Sequence, residues 1–295
     1  MQTAYLAPKG FEELLQKELK SITQVHKRLF IAEGPPQKAY WVQNIWYDPQ
    51  FISIKSISDA AKSLRAIQRN WWPYEYNYFR RMKLIQESLP HVSAKALDFL
   101  APLPTSPLGS WTLINESLLC ASSNCSSPMP NGEWNFNEDK VNPPSRAYLK
   151  LWEFFTRTQI KPTKSEICLD LGASPGGWTW VLSKLAKKVI ACDRSELDSK
   201  LMKLPNVEFK FLDAFKVNLS DYPEVSWVFS DVICYPEKLF DFVNYLLTNF
   251  PDKKYVFTIK FQGIDNQAII SRFASLPGEL VHLSQNKHEL TWFKI

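Results

Sequence analysis

Glycine is scarce in this sequence, with 9 among 295 residues, about 3% where roughly 7% is ordinary. Three of the nine, Gly172, Gly176 and Gly177, fall within six residues. A chain that does without flexible positions elsewhere needs an unusual backbone there. No apolar run approaches the roughly 18 residues of a membrane span, so no membrane partner is expected. The N-terminus has neither the basic start nor the long apolar stretch of a signal peptide. The five cysteines (Cys120, Cys125, Cys168, Cys192, Cys234) make no disulfide framework and no zinc spacing, which points to reduced thiols and a cytoplasmic protein. The four histidines (His26, His91, His282, His288) lack ligand spacing too, so no metal is expected. A net charge of +5 permits a polyanionic partner without demanding one. With 45% hydrophobic and 22% charged residues the chain is not disordered, and its length suggests two domains.

The stretch from Ser122 to Pro144 is rich in Ser, Asn and Pro and has no sustained apolar period. It reads as a linker over residues 122–144 between domains at 1–121 and 145–295. After it, short apolar runs alternate with helical stretches. Strands are expected at Ile167–Leu171, Val189–Cys192, Val207–Leu212, Trp227–Ser230, Tyr255–Ile259, Leu280–Leu283 and Leu290–Phe293. Helices are expected at Gly177–Lys187, Pro236–Asn249 and Asp265–Ser275. Such alternation means a mostly parallel sheet covered by helices on both faces. The first domain reads as a smaller α/β unit. Strands are expected near Thr3–Leu6, Leu29–Ala32 and Tyr40–Val42, and helices over Phe11–Ser21, Ser58–Gln68 and Phe79–Glu87.

The glycine cluster lies in Leu169-Asp170-Leu171-Gly172-Ala173-Ser174-Pro175-Gly176-Gly177-Trp178, which follows a strand and opens a helix. Glycines there let the backbone approach a ligand, although a plain tight turn would look the same. Acids at the ends of the strands add to the signal. Asp170 lies in the first strand, Asp193 ends the next, and Asp213 and Asp231 follow the third and fourth. Carboxylates in register along the carboxyl edge of a parallel sheet suit a nucleoside-containing ligand. Ser174 stands where a dinucleotide fingerprint has its second glycine, and the lysine of a phosphate loop is missing, so the ligand is expected to carry no phosphates.

The Leu-Asp-Leu-Gly-Ala-Ser-Pro-Gly-Gly-Trp run resembles the first motif of the FtsJ-type S-adenosylmethionine-dependent ribose 2′-O-methyltransferases. That family uses a Lys-Asp-Lys-Glu tetrad, and this sequence holds its four members in order. Lys150 stands in Pro144-Ser145-Arg146-Ala147-Tyr148-Leu149-Lys150-Leu151, Asp231 after the fourth strand, Lys260 in Thr258-Ile259-Lys260, and Glu289 in Lys287-His288-Glu289-Leu290-Thr291. The resemblance covers about Pro143 to Ile295. Its flanks, including Gly-Gly-Trp-Thr and Glu-Leu-Thr-Trp, are most similar to the RlmM-type branch, which carries an N-terminal THUMP-like domain and methylates a cytidine ribose in 23S rRNA. Ala7-Pro8-Lys9-Gly10-Phe11-Glu12 is similar to the start of that domain. The N-terminal region here is shorter than in that branch, and Ser174 stands where that branch often has Cys.

The resemblance implies a Rossmann-like methyltransferase fold of about seven strands, preceded by the smaller THUMP-like α/β domain. It implies S-adenosylmethionine as cofactor, bound by Gly172, Ala173, Ser174, Pro175, Gly176, Gly177 and Trp178, with Asp193 on the ribose, Asp213 on the adenine amino group, and Ala214 and Phe215 near the ring. It implies Lys150, Asp231, Lys260 and Glu289 as the catalytic set, with Asp231 also facing the cofactor, and RNA, above all 23S rRNA, as partner. A tRNA or cap ribose methyltransferase would show the same order of motifs, and so would an RNA-binding protein that keeps the fold without catalysis. A lysine titrates near 10.4 when free, so a lysine base needs its proton affinity lowered by burial or a neighbouring cation. Lys260 is expected to be that base, with Lys150 beside it.

Lys62, Arg65 and Arg69 recur at helical spacing, and Arg80, Arg81 and Lys83 follow among Trp71, Trp72, Tyr74, Tyr76 and Tyr78. Basic side chains interleaved with aromatics suit RNA through phosphate contact and base stacking. A solvated helix face beside core aromatics has the same pattern, and residues 1–140 hold 15 Lys and Arg against 13 Asp and Glu, which is no strong basic field.

Overall fold

Short apolar runs, cut by polar turns, divide the chain into two groups of strands. In the computed structural model, which describes residues 1–263 and 266–295, the chain forms two compact units. One holds residues 1–97 and 101–135, the other residues 98–100 and 136–295.

The first unit contains β1 (Gln2–Leu6), α1 (Glu12–Glu18), β2 (Ile22–His26), β3 (Leu29–Glu33), β4 (Asn44–Tyr47), β5 (Gln50–Ser53), α2 (Ile57–Ile67), β6 (Trp71–Pro73), α3 (Phe79–Glu87), β7 (Gly109–Asn115), β8 (Leu118–Ser122) and β9 (Asn124–Cys125). They build a five-stranded sheet in the order β2-β3-β1-β4-β9 and a four-stranded sheet in the order β5-β8-β7-β6. Leu64 of α2 and Met82 and Ile85 of α3 share a buried cluster with Trp71, Trp111 and Leu119 of the smaller sheet. Ser56 caps α2 by accepting the amide of Asp59, which satisfies one of the helix's free donors.

Two expectations for this unit change. No strand forms over Tyr40–Val42: the amides of Tyr40 and Trp41 donate to Glu18 at 2.7 and 2.9 Å, and the strand begins at Asn44. The residues read as a linker up to 135 belong to this unit. Asn124–Cys125 pairs with β4, and Asn44 Oδ1 accepts from Ser126 Oγ and the Ser127 amide at 3.3 and 3.2 Å. Ser and Asn side chains hold this segment through polar bonds, so it carries no apolar period to read.

The second unit contains α4 (Tyr148–Thr158), β10 (Ile167–Leu171), α5 (Gly177–Leu185), β11 (Lys188–Asp193), α6 (Ser199–Met202), β12 (Val207–Phe211), β13 (Val225–Ser230), α7 (Pro236–Asn249), β14 (Lys254–Lys260), α8 (Gln267–Ala274), β15 (Glu279–Val281) and β16 (Glu289–Lys294). The sheet has seven strands in the order β12-β11-β10-β13-β14-β16-β15. β10 to β14 pair parallel, and β16 enters antiparallel between β14 and β15. This is a Rossmann-like sheet whose order reverses at β10, and ligands bind in the crevice at the carboxyl ends beside such a switch point. The central strands are buried on both faces, with Leu169, Ile190, Val228 and Val256 at most 1% exposed. Phe155 of α4 meets Trp227 and Phe229 edge to face, an arrangement aromatic rings favour. The expected helix from Asp265 begins at Gln267 among the described residues, and Asp265 itself lies outside them. No helix among the described residues is long and apolar enough to cross a membrane.

Candidate functional site

Sheet topology assembles the site. Asp193 ends β11, Asp231 follows β13, and Lys260 ends β14. Because β16 runs antiparallel to β14, its first residue, Glu289, pairs with the last of β14, Lys260. Lys150 comes from the first turn of α4. Its Nζ lies 2.9 Å from Asp231 Oδ1 and 2.6 Å from Glu289 Oε2. Lys260 Nζ lies 3.2 Å from the same Asp231 Oδ1 and donates to the Asp231 carbonyl at 2.6 Å. The four side chains thus form one connected ion-pair chain, about 140 residues apart in sequence at its extremes (150 to 289) and distant enough that no local period links them. Lys150 is 8% exposed. Burial by itself lowers its pKa, but the carboxylates of Asp231 and Glu289 outweigh that, and the net shift is upward. Lys150 is therefore held as a cation.

The glycine loop lies beside this chain. Gly172 and Gly176 have φ of 73° and 114°, a region that costs other residues strain. A Cβ on Gly172 would stand 2.8 Å from Val232 Cβ, and one on Gly177 would run into Ser145. The close approach read from the sequence as one to a ligand is thus first an approach to the chain's own neighbours. The peptide bond between Ser174 and Pro175 is cis. The Ser174 and Ser195 amides donate to Asp193 Oδ2 and Oδ1 at 3.0 and 2.8 Å, which fixes that carboxylate at the cleft. Trp178 is 3% exposed, and its indole N–H donates to the Ala147 carbonyl at 3.0 Å, tying the loop to the start of the helix that carries Lys150.

Two adjoining cavities of about 390 and 310 Å³ open along this edge. The larger is lined by Asp193, Asp213, Ala214, Phe215 and Ile233, the smaller by Ala173, Ser174, Pro175, Gly177, Trp178, Asp231 and Lys260. Both include Gly172. Gly176 is not among their lining residues and serves as the left-handed cap of α5. Lys150 and Glu289 line a third cleft of about 430 Å³ with Arg146 and Lys287. Asp170 and Lys238 also line the first two cavities and were missed as site residues. Asp170 is fully buried: desolvation raises its pKa to about 7, while the Thr179 hydroxyl, donating at 2.6 Å, opposes the shift. The sequence set Asp170 in register with the other strand-end acids, but its place inside the strand, one residue before Leu171, did not mark it as a lining residue.

The basic residues of the first unit lie on α2 and α3 and at Arg69 between them. Lys62, Arg65, Arg69, Arg80 and Lys83 are exposed and Arg81 is half-buried. The interleaved aromatics are largely core. Trp71 is fully buried and donates its indole N–H to the Leu64 carbonyl at 2.9 Å, and Tyr74 is 4% exposed. Those two cannot stack on bases. Tyr78 and Phe79 are exposed at the start of α3.

The family described as FtsJ-like methyltransferase matches residues 143–250 of this chain. That segment includes Lys150, the glycine loop, Asp193, Asp213 and Asp231. Curated relatives are each named ribosomal RNA large subunit methyltransferase M. The one from Halorhodospira halophila is 39% identical over 99 residues, covering 32% of this chain and 29% of its own length. The one from Hahella chejuensis is 32% identical over 122 residues, covering 36% and 31%. The one from Haemophilus influenzae is 28% identical over 166 residues, covering 50% and 46%. The matches span less than half the length of these relatives. Among the described residues, no group of three or more His, Cys, Asp and Glu side chains could hold a metal ion.

Proposed function

We propose that the chain is an RNA ribose 2′-O-methyltransferase that uses S-adenosylmethionine. The observation that carries this reading is the single ion-pair chain of Lys150, Asp231, Lys260 and Glu289 at the end of the cleft. The donor set of the cleft fits the cofactor. Asp193 presents carboxylate oxygens whose remaining lone pairs suit a ribose diol, Asp213 can accept from an adenine amino group, and Phe215 and Ile233 offer apolar faces to the ring. Asp231 and Asp170 face the region where a sulfonium would stand. When bound, S-adenosylmethionine supplies an electrophilic methyl group.

Lys260 would take the proton of a ribose 2′-hydroxyl presented to that methyl group. A lysine serves as base only when neutral. Lys150 beside it is held charged between two carboxylates. Asp231 fixes Lys260 from both its backbone carbonyl and its side chain. Glu289 holds Lys150. The rate gain rests on alignment of oxygen and methyl carbon together with general-base assistance.

The substrate that the resemblance favours is a cytidine in 23S rRNA, acted on as RNA rather than in the assembled ribosome, which makes the cytoplasm the place of action. The first unit is then a THUMP-like RNA-binding unit, with Lys62, Arg65, Arg69, Arg80, Arg81 and Lys83 on phosphates. Transfer of labelled methyl groups to unmodified large-subunit rRNA, followed by nucleoside mapping, tests this. A 2′-O-methylcytidine supports the reading. Label on a base, or in tRNA alone, contradicts it.

A further inference from the structure

Helix α4 carries a second charged group, one turn beyond Lys150. Glu153 is fully buried, and its carboxylate faces the loop 282–288 that joins β15 to β16. Oε1 accepts the Ser284 amide at 2.8 Å and Oε2 the Gln285 amide at 3.1 Å. Arg157, a further turn along, donates from Nη1 to Glu153 Oε1 at 3.2 Å and to the His282 carbonyl at 3.3 Å. Three donors on two carboxylate oxygens suit the ionised group, which can only accept; burial pushes its pKa up on balance, and Arg157 and the Ser284 and Gln285 amides oppose that shift. A buried charge is costly unless it is paired and hydrogen-bonded in this way.

The loop is braced at its far end as well. Asn286 Nδ2 donates to Thr291 Oγ1 at 3.2 Å and to the Glu289 carbonyl at 3.3 Å. The loop then delivers Glu289, whose carboxylate meets Lys150. One helix therefore grips one loop at two points, through Glu153 on Ser284 and Gln285 and through Lys150 on Glu289. The cleft of about 430 Å³ lies at this junction, with Arg146 and Lys150 on the helix side and Gln285, Lys287 and Glu289 on the loop side.

We propose that Glu153 is a positioning residue that sets the width of this cleft, where the acceptor nucleotide enters, and holds Glu289 against Lys150. The identity of the occupant rests on the proposed ribose methylation; the grip of Glu153 on the loop does not. The cleft borders the tetrad on the side of Lys150 and Glu289, while the cofactor cavities border it at Asp231 and Lys260. Arg146 and Lys287 at its rim suit phosphates flanking an acceptor nucleotide. A loop free of Glu153 would let Glu289 drift, and misplacement by about 1 Å can cost on the order of 100-fold in rate.

The test replaces the carboxylate with its isosteric amide, Glu153→Gln, in the full chain. The amide keeps the volume but turns a donor toward a backbone N–H. Amide hydrogen exchange at Ser284 and Gln285 is expected to accelerate. The kcat for RNA methylation is expected to fall by about 10- to 100-fold, with KM for RNA raised and S-adenosylmethionine affinity unchanged. Glu153→Asp, which keeps the charge but shortens its reach, is expected to fall between wild type and Glu153→Gln, and it carries the same readouts if the amide variant does not fold. Wild-type exchange and wild-type kcat in a folded variant overturn the proposal. If the wild-type protein methylates no RNA, the functional reading fails, and the exchange measurement alone still decides whether Glu153 holds the loop.

Discussion

Lys150 and Lys260 meet at one oxygen. Their Nζ atoms lie 2.9 and 3.2 Å from Asp231 Oδ1, so two cations are brought together by a shared carboxylate. The partners beyond that point differ. Lys150 has a second carboxylate, Glu289, at 2.6 Å, whereas Lys260 has the neutral carbonyl of Asp231 at 2.6 Å. The asymmetry sets the two lysines apart: the carboxylates of Asp231 and Glu289 together raise the pKa of Lys150 and hold it charged.

In the proposed cofactor site, Asp193 and Asp213 are the acceptors for the ribose and the adenine. Asp193→Ala and Asp213→Ala are each expected to weaken S-adenosylmethionine binding by about 10- to 100-fold, the usual worth of a hydrogen bond to a charged group. Isothermal titration checks this. Unchanged affinity in both variants would remove these acids from the cofactor site.

Gly172→Ala should damage the fold and the site together. The methyl would stand 2.8 Å from Val232 Cβ at a φ of 73°. A loss of about 1–3 kcal/mol is expected from strain and overpacking, measured by denaturant unfolding. Val232 follows Asp231 directly, so weaker methyl transfer should accompany the lost stability.

Asp170 gives a pH signature. Burial raises its pKa from an ordinary 3.8 to about 7, so the folded state favours its protonated form. The stability this contributes is fully present below pH 3.8 and is lost as pH rises through about 7. Glu18, raised by burial to about 7, acts in the same direction. His282, lowered by burial to about 4, acts in the opposite one, losing stability as pH falls below its unfolded 6.5. The Asp170→Asn variant isolates the first contribution. Its stability relative to wild type should increase between pH 4 and 8, by on the order of 1–3 kcal/mol. A constant difference across that range would contradict the burial argument.

The basic face of α2 and α3 carries the RNA prediction. Lys62→Ala combined with Arg65→Ala and Arg80→Ala should weaken RNA binding and flatten its dependence on salt. Each lost phosphate contact lowers the slope of log K against log salt by about 0.7 to 0.9. Filter binding at several salt concentrations measures this, and an unchanged slope would remove this face from the interface.

The central sheet was readable because buried parallel strands are continuous apolar runs, and Pro236–Asn249 matches α7 residue for residue. The positions of the tetrad residues came from motif resemblance, since nothing periodic links Lys150 to Glu289; only the antiparallel entry of β16 makes Glu289 a neighbour of Lys260. Polar bonding was the part least legible. The Glu18 carboxylate replaced a strand at Tyr40, Ser and Asn side chains ordered residues read as a linker, and Glu153 gripped a loop read in part as strand at Leu283. Trp71 and Tyr74 suited either base stacking or a core in the sequence, and their burial decides for the core.

The proposed removal of the ribose proton by Lys260 is tested most directly by single-turnover methyl transfer to unmodified large-subunit rRNA, with saturating S-adenosylmethionine and Lys260→Ala. The rate is expected to fall by about 100- to 10,000-fold, the usual worth of a general base, with cofactor affinity retained. A rate near that of the wild type would contradict it.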